Sequence, residues 1–149
     1  MKSTIALFVI PFTILSSCSI SINDKTLDGM NPFSDSRMVD ESGPQESRSY
    51  NMNFDGIKVS TGIYAEVVKS DNEKIVVSAP KNLVNEVLVE KNGGDVYVHF
   101  KPNLNIHNSS VVKVTIYSND FSSVSASSSG KILIKDKFTQ DKMSVKVSS

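Results

Sequence analysis

Few side chains in this sequence stand at a spacing that chemistry requires. His99 and His107 have neither a cysteine nor a carboxylate cluster beside them, so no zinc-type donor set is laid out. Asp71-Asn72-Glu73 offers oxygen ligands but lacks the EF-hand pattern, and reads as a turn. Ser127-Ser128-Ser129 supplies hydroxyls without a nucleophile-elbow motif or an adjacent histidine. Asp136 and Asp141 would suit a carboxylate pair acting on polysaccharide, but they sit among lysines and read as a solvated face. No catalytic residue, metal ligand or cofactor is assigned. The one group singled out by its surroundings is the thiol of Cys18, the only cysteine, directly after Leu15-Ser16-Ser17.

The segment before that thiol is built to place it. Lys2 is a positive start, and residues 5–15 are apolar apart from Pro11 and Thr13. This suits the core of a secretory signal and is too short for a membrane span of about twenty residues. Leu15-Ser16-Ser17-Cys18 resembles the lipobox of bacterial lipoprotein signals, where the cysteine receives lipid and becomes the mature N-terminus. A lone cysteine is more often a small core hydrophobe, but this one follows a signal core and two small residues. Each buried methylene contributes about 0.8 kcal/mol, so several acyl chains on one residue hold a protein at a membrane almost permanently. Ser19 stands where an aspartate would resemble an inner-membrane retention signal. That favours the outer membrane, surface-exposed or periplasm-facing.

Composition narrows the partners. Lys and Arg total 16, as do Asp and Glu, and no basic stripe exists, so no nucleic acid is expected. One cysteine allows no intrachain disulfide. Tryptophan is absent, which leaves Tyr64, Tyr97 and Tyr117 as the candidate binding surface. They would act through amphipathic contacts from outward strand positions, or they only cover neighbouring strands.

The chain divides into a signal at 1–17, a lipidated cysteine with a flexible tether at 18–49, and a domain at 50–149. The tether is read from polarity, greatest in Asp40-Glu41-Ser42-Gly43-Pro44-Gln45-Glu46-Ser47, and from the loss of any period of 2 or 3.6. Local packing of residues 30–33 is the other reading. From Tyr50 onward apolar residues alternate with polar ones. Ile57 and Val59, Ile63 to Val67, Ile75 to Ala79, Val87 and Val89, Val96 to Phe100, and Val112 to Ile116 mark half-buried strands. Asp55-Gly56, Thr61-Gly62, Asp71-Asn72 and Asn92-Gly93-Gly94-Asp95 separate them as turns. Only residues 80–86 look briefly helical, opened by Pro80.

The last third changes character. Val124 with Ala126, Ile132 with Ile134, and Met143, Val145 and Val147 form short units that recur after small turns. Short strands with two or three inward residues, repeated at such spacing, predict a β-solenoid. Serines at the corners suit coils stacked at strand spacing. A plain antiparallel sandwich with serine-rich loops is the competing arrangement.

Residues 54–67, Val76-Val77-Ser78-Ala79-Pro80, Val112-Lys113-Val114-Thr115-Ile116-Tyr117 and Ser125-Ala126-Ser127-Ser128-Ser129-Gly130 carry a resemblance. Together they resemble the bacterial head GIN domain family, whose description links it to auto-transporter adhesins. The resemblance spans roughly residues 50–149, and its motifs are patterns of strand and turn. The family's Gly-Ile-Asn tripeptide is Gly56-Ile57-Lys58 here. It implies an all-β fold, with N-terminal strands and hairpins leading into a right-handed β-solenoid, and no catalytic residues. Members commonly carry a lipoprotein signal and come often from Bacteroidetes-type envelopes. They usually continue beyond the point matching Val145-Lys146-Val147-Ser148-Ser149. The domain is therefore expected to be incomplete, with self-association through an exposed solenoid end.

The functional reading is a non-catalytic, lipid-anchored envelope protein serving as a surface interaction, adhesion or structural module. Its partners would be the membrane, through the lipid, and a glycan, peptidoglycan or protein. The alternative is a periplasmic carbohydrate- or peptide-binding module, and a fragment of a longer family member is the third reading. Mass spectrometry of membrane-fraction protein should show cleavage before Cys18 and a lipid-bearing N-terminal peptide. An unmodified Cys18 there, or unchanged membrane partition of Cys18→Ala, refutes this.

Overall fold

The computed structural model describes residues 36–149. Cys18, its lipobox residues Leu15, Ser16 and Ser17, and the first part of the assigned tether lie outside them. The elements are β1 (Arg37–Met38), β2 (Gln45–Asn51), β3 (Gly56–Val59), β4 (Tyr64–Lys69), β5 (Lys74–Pro80), α1 (Lys81–Val84), β6 (Val87–Asn92), β7 (Asp95–Phe100), β8 (Leu104–Asn105), a 3-10 turn (Ser109–Val111), β9 (Lys113–Ser118), β10 (Ser123–Ala126), β11 (Lys131–Ile134) and β12 (Ser144–Val147). The fold is all-β. Every strand read from the alternation is present, and the one α-helical turn among the described residues follows Pro80, as that residue predicts.

Two five-stranded sheets carry the architecture. The first has the order β12-β10-β3-β7-β6, with β12, β10, β3 and β7 parallel and β6 joined to β7 as a hairpin. The second has the order β11-β4-β9-β5-β2, parallel from β11 to β9 and antiparallel beyond. A short parallel pair, β1 with β8, stands apart from both. Both large sheets have free edges, so no barrel closes among the described residues.

Period-2 alternation puts one face of each strand inward. Ile57 and Val59 of β3, Val96 and Val98 of β7, Ala65 and Val67 of β4, Ile75 and Val77 of β5, and Val114 and Ile116 of β9 are buried in one shared core. At about 25 cal/mol per Å² of apolar surface removed from water, this layer is the main stabilising contribution.

The chain enters the parallel stack repeatedly, through β3 and β4, β7 and β9, β10 and β11, and finally β12. β3 and β4 are laid down first, β5 to β9 follow, and β10 and β11 then return to pair beside β3 and β4. The register is strict: Ser123 aligns with Gly56 and Lys131 with Tyr64. The corners also stack. Ser127 N–H donates to the Val59 carbonyl at 3.0 Å, Gly62 N–H to that of Ser128 at 2.9 Å, and Lys131 N–H to that of Ile63 at 2.9 Å. A Cβ on Gly130 would lie 2.7 Å from the Val59 carbonyl oxygen, so this corner position excludes any side chain. The steric limit falls on the glycine alone, since Ser128 and Ser129 beside it are exposed.

The antiparallel pairs do not simply precede the parallel stack; β5 and β6 are inserted between β4 and β10 in chain order. β2 also begins inside the segment assigned to the tether. It is an edge strand with nearly every residue exposed and only Tyr50 half-buried, so it has no apolar face to show a period of 2. β1 is hidden in the sequence for the same reason.

The two ends of the core differ. At one end α1 places Leu83 and Val84 fully inside, beside β5 and β2. The buried carboxylate of Glu86 stands next to it, with Arg37 Nη2 at 2.6 Å and Lys101 Nζ at 3.4 Å. These charges lie close to Glu86 Oε2, although no well-angled hydrogen bond reaches that atom. At the other end Val145 is 59% exposed and Val147 81% exposed. Leu83→Ala should cost about 2–5 kcal/mol in denaturant unfolding, the range for a cavity in a sealed core. Val147→Ala should stay within about 0.5 kcal/mol. Equal costs would show that the two ends are not different in packing.

Candidate functional site

The feature that stands out is an apolar cleft at the open end. It is an open space of about 500 Å³ lined by Val124 and Ala126 of β10, Ile132, Leu133 and Ile134 of β11, and Val145 and Val147 of β12. Its walls are the inward faces of the two sheets. β12 extends the first sheet past β10, whereas β11 is the outermost strand of the second. Val145 and Val147 therefore face inward with no strand opposite them among the described residues. The volume falls within the range of about 300–1,000 Å³ usual for ligand sites.

The rim is basic. Lys131, Lys146 and Tyr64 border the cleft. Lys131 and Lys146 make no ion pair among the described residues, while Lys135, just past β11, is held by Glu66 at 2.9 Å. The Lys135 hydrogen bond keeps the Glu66 carboxyl below its usual range, and the same bond raises the Lys135 ammonium. Partial burial, then a 3.2 Å hydrogen bond to Glu66, pushes the Tyr64 phenol up. Because Glu66 is depressed on folding, its stabilising effect is present above the ordinary carboxylate pKa. It is lost as pH falls through the lowered value. These groups are at least partly exposed, so the contact ties β11 to β4 only modestly.

The three tyrosines do not share a face. Tyr64 and Tyr117 point outward from the second sheet, and Lys74 Nζ lies 4.9 Å above the Tyr117 ring. Tyr97 points outward from the first sheet, stacked on His99 at 4.1 Å, with its hydroxyl 2.8 Å from Ser60 Oγ. Each ring is already engaged by a neighbour on its own sheet.

The remaining candidates are also placed. His99 Nε2 lies 3.1 Å from Glu90 across the β6–β7 hairpin. The His107 backbone N–H, with that of Asn108, donates to Glu41. Asp136 accepts from the Lys69 backbone N–H at 2.7 Å and so secures the end of β4. Asp141 borders a separate polar hollow with Asp55, Glu73 and Asp120, and Asp136 is not part of it. The two aspartates are thus engaged in different places. No group of three or more metal-ligating side chains comes together among the described residues. No helix there is long and apolar enough to cross a membrane.

Sequence reasoning predicted an exposed apolar end but did not single out the cleft's outer wall. Its signal was present. In Lys131-Ile132-Leu133-Ile134 an apolar residue occupies the outward position between two inward isoleucines, and Leu133 is 44% exposed. Strict alternation would place a polar residue there.

Comparison with known proteins agrees with this architecture. No curated protein matches the chain. A putative adhesin from Bacteroides fragilis shares 19% identity with a TM-score of 0.66, over 72% of this chain and 52% of that one. A putative lipid binding protein from Parabacteroides distasonis shares 19% identity with a TM-score of 0.65, over 74% and 49%. A putative adhesin from Parabacteroides merdae shares 17% identity with a TM-score of 0.63, over 74% and 46%. The chain spans about half the length of these solved structures, and identities this low speak for the fold alone. The family model described as "putative auto-transporter adhesin, head GIN domain" matches residues 53–149, and the chain belongs to that family.

Proposed function

We propose that this is a non-catalytic, lipid-anchored envelope protein whose domain holds a protein partner through the open end of its core. The carrying observation is the contrast between the two ends. α1 seals one with fully buried Leu83 and Val84, while the other leaves Leu133, Val145 and Val147 exposed around one cleft. Contiguous exposed apolar surface with a polar rim is the mark of an interaction site. The adhesin family supports a cell-envelope or surface setting. Lipid on Cys18 and a tether leading toward the domain would anchor it at the outer membrane. In this reading β10, its corner, β11 and β12 form a turn of a parallel solenoid coil, and self-association would use the same end.

A second reading follows from the cleft's apolar lining and the Parabacteroides distasonis neighbour described as a putative lipid binding protein. There the cleft holds an acyl chain. A glycan or peptidoglycan ligand would instead use the tyrosine-bearing outer faces of the sheets.

Photo-crosslinking in intact cells, with the probe beside the cleft, tests the leading reading. The full chain should give a discrete protein adduct that is lost when Val145→Asp and Val147→Asp are combined, with membrane partition and circular dichroism unchanged. An adduct that persists in the double variant sinks it. Protease shaving of the same cells should cleave the domain if it faces outward, and survival would assign it to the periplasmic side.

A further inference from the structure

We propose that the outward face of the second sheet seats the domain flat on an anionic lipid surface. The proposal is independent of the open end of the core. β11, β9 and β5 turn Lys131, Lys113 and Lys74 outward, and Lys135, just past β11, reaches Glu66 on the same face. Glu66 is the one carboxylate at an outward position of these strands among the described residues, and Lys135 already holds it. Lys131, Lys113 and Lys74 make no ion pair among the described residues. Asp136, at the rim, is turned to the Lys69 backbone N–H. On the outward face of the first sheet, by contrast, Lys58 and Lys146 are matched by Asp95 and Glu90. The full chain carries 16 charges of each sign, so the imbalance belongs to one face. Its lysines come from separate strands and therefore leave no basic stripe in the sequence.

Register sets how the charges are spread. Tyr64 lies between Lys131 and Lys113 in one row. Two residues along, Leu133, Glu66, Thr115 and Val76 are neighbours, and beyond them Val68, Tyr117 and Lys74. Apolar side chains thus stand among the lysines at outward positions, where strict alternation expects polar ones. Five strands about 4.7–4.9 Å apart make a face roughly 20 Å wide. The face points away from the core, so a further strand beside β11 would widen it and leave it uncovered. Packing another protein layer dry against it would bury unpaired ammonium groups, which is costly. A membrane surface meets both kinds of residue. Lipid phosphates take the ammonium groups, the lysine stems lie along the apolar residues, and the tyrosines suit the boundary between headgroup and acyl chain. An anionic polysaccharide would take the charges and leave the apolar positions in water.

The test uses the full chain with Cys18→Ala, so that lipid on Cys18 plays no part and an added thiol is the only one. A polarity-sensitive fluorophore is placed on Ser49→Cys, outward on β2 of the second sheet, or on Ser125→Cys, outward on β10 of the first. On phosphatidylglycerol-rich vesicles the label at 49 should leave water and the label at 125 should not. Phosphatidylcholine vesicles should move neither. Each lysine near an anionic surface strengthens binding about fivefold, so Lys113→Gln should lower the seated-to-unseated ratio by about that factor. Lys74→Gln, Lys113→Gln and Lys131→Gln combined should lower it about a hundredfold. Lys58→Gln, Lys91→Gln and Lys142→Gln combined remove as much charge elsewhere and should leave it unchanged, because distant charges are screened. Circular dichroism should be the same in every variant. An equal response on the two vesicle types, an equal response from the two labels, or a response kept by the first triple variant overturns the proposal. So does a response at 49 to soluble polygalacturonate with none to vesicles, which would assign the face to an anionic glycan.

Discussion

Parallel, in-register stacking of two corner-linked strand pairs is the constraint on which this domain depends. β3 and β4 turn one corner, β10 and β11 turn another, and the second pair must lie on the first strand for strand. This works only if the corners superpose, since one extra residue would invert every inward side chain beyond it. Corner 127–130 meets the requirement with backbone hydrogen bonds to corner 60–63 and a glycine where a Cβ would strike the Val59 carbonyl. Ser128 and Ser129 accept positive φ there without being glycine. Local backbone strain is therefore tolerated to preserve register on both sheets.

The inserted hairpins determine how the two ends differ. β5, β6 and β7 bring antiparallel pairing and the α1 turn, which plugs the core on their side. A buried carboxylate held between Arg37 and Lys101 accompanies that plug. Among the described residues the side built from β10, β11 and β12 has only parallel pairs, and apolar side chains that alternate as core residues are exposed there. One sequence pattern thus yields buried valines at one end of the stack and exposed ones at the other.

Long-range pairing also shapes assembly. The Ser122 hydroxyl donates to the Asp55 carbonyl across 67 positions of chain, so this contact closes a long loop. Such contacts carry a loop-closure cost and fold slowly. The run from β10 to the exposed β12 has the fewest buried side chains and should be the last to dock and the first to open.

Strand positions from Gly56 to Val147 other than β8, the brief helix at Pro80, the serine-rich corner and the all-β class were legible in the sequence. Each rests on a local signal: a period of 2, a ring-locked φ, or small residues between short strands. The family pattern was legible for the same reason, since its motifs are strands and turns. β2 was not, because an edge strand exposed on both faces has no period to display. The order of strands was not either, because pairing partners depend on which corners superpose and not on any residue's propensity. Nor could spacing tell that Tyr97 would point from one sheet and Tyr64 and Tyr117 from the other, or that Asp136 would cap β4 while Asp141 borders a different hollow. Alternation in Met143, Val145 and Val147 specified an inward face. Only the tertiary structure decided that nothing among the described residues stands opposite that face, because burial depends on the neighbour and not on the residue itself.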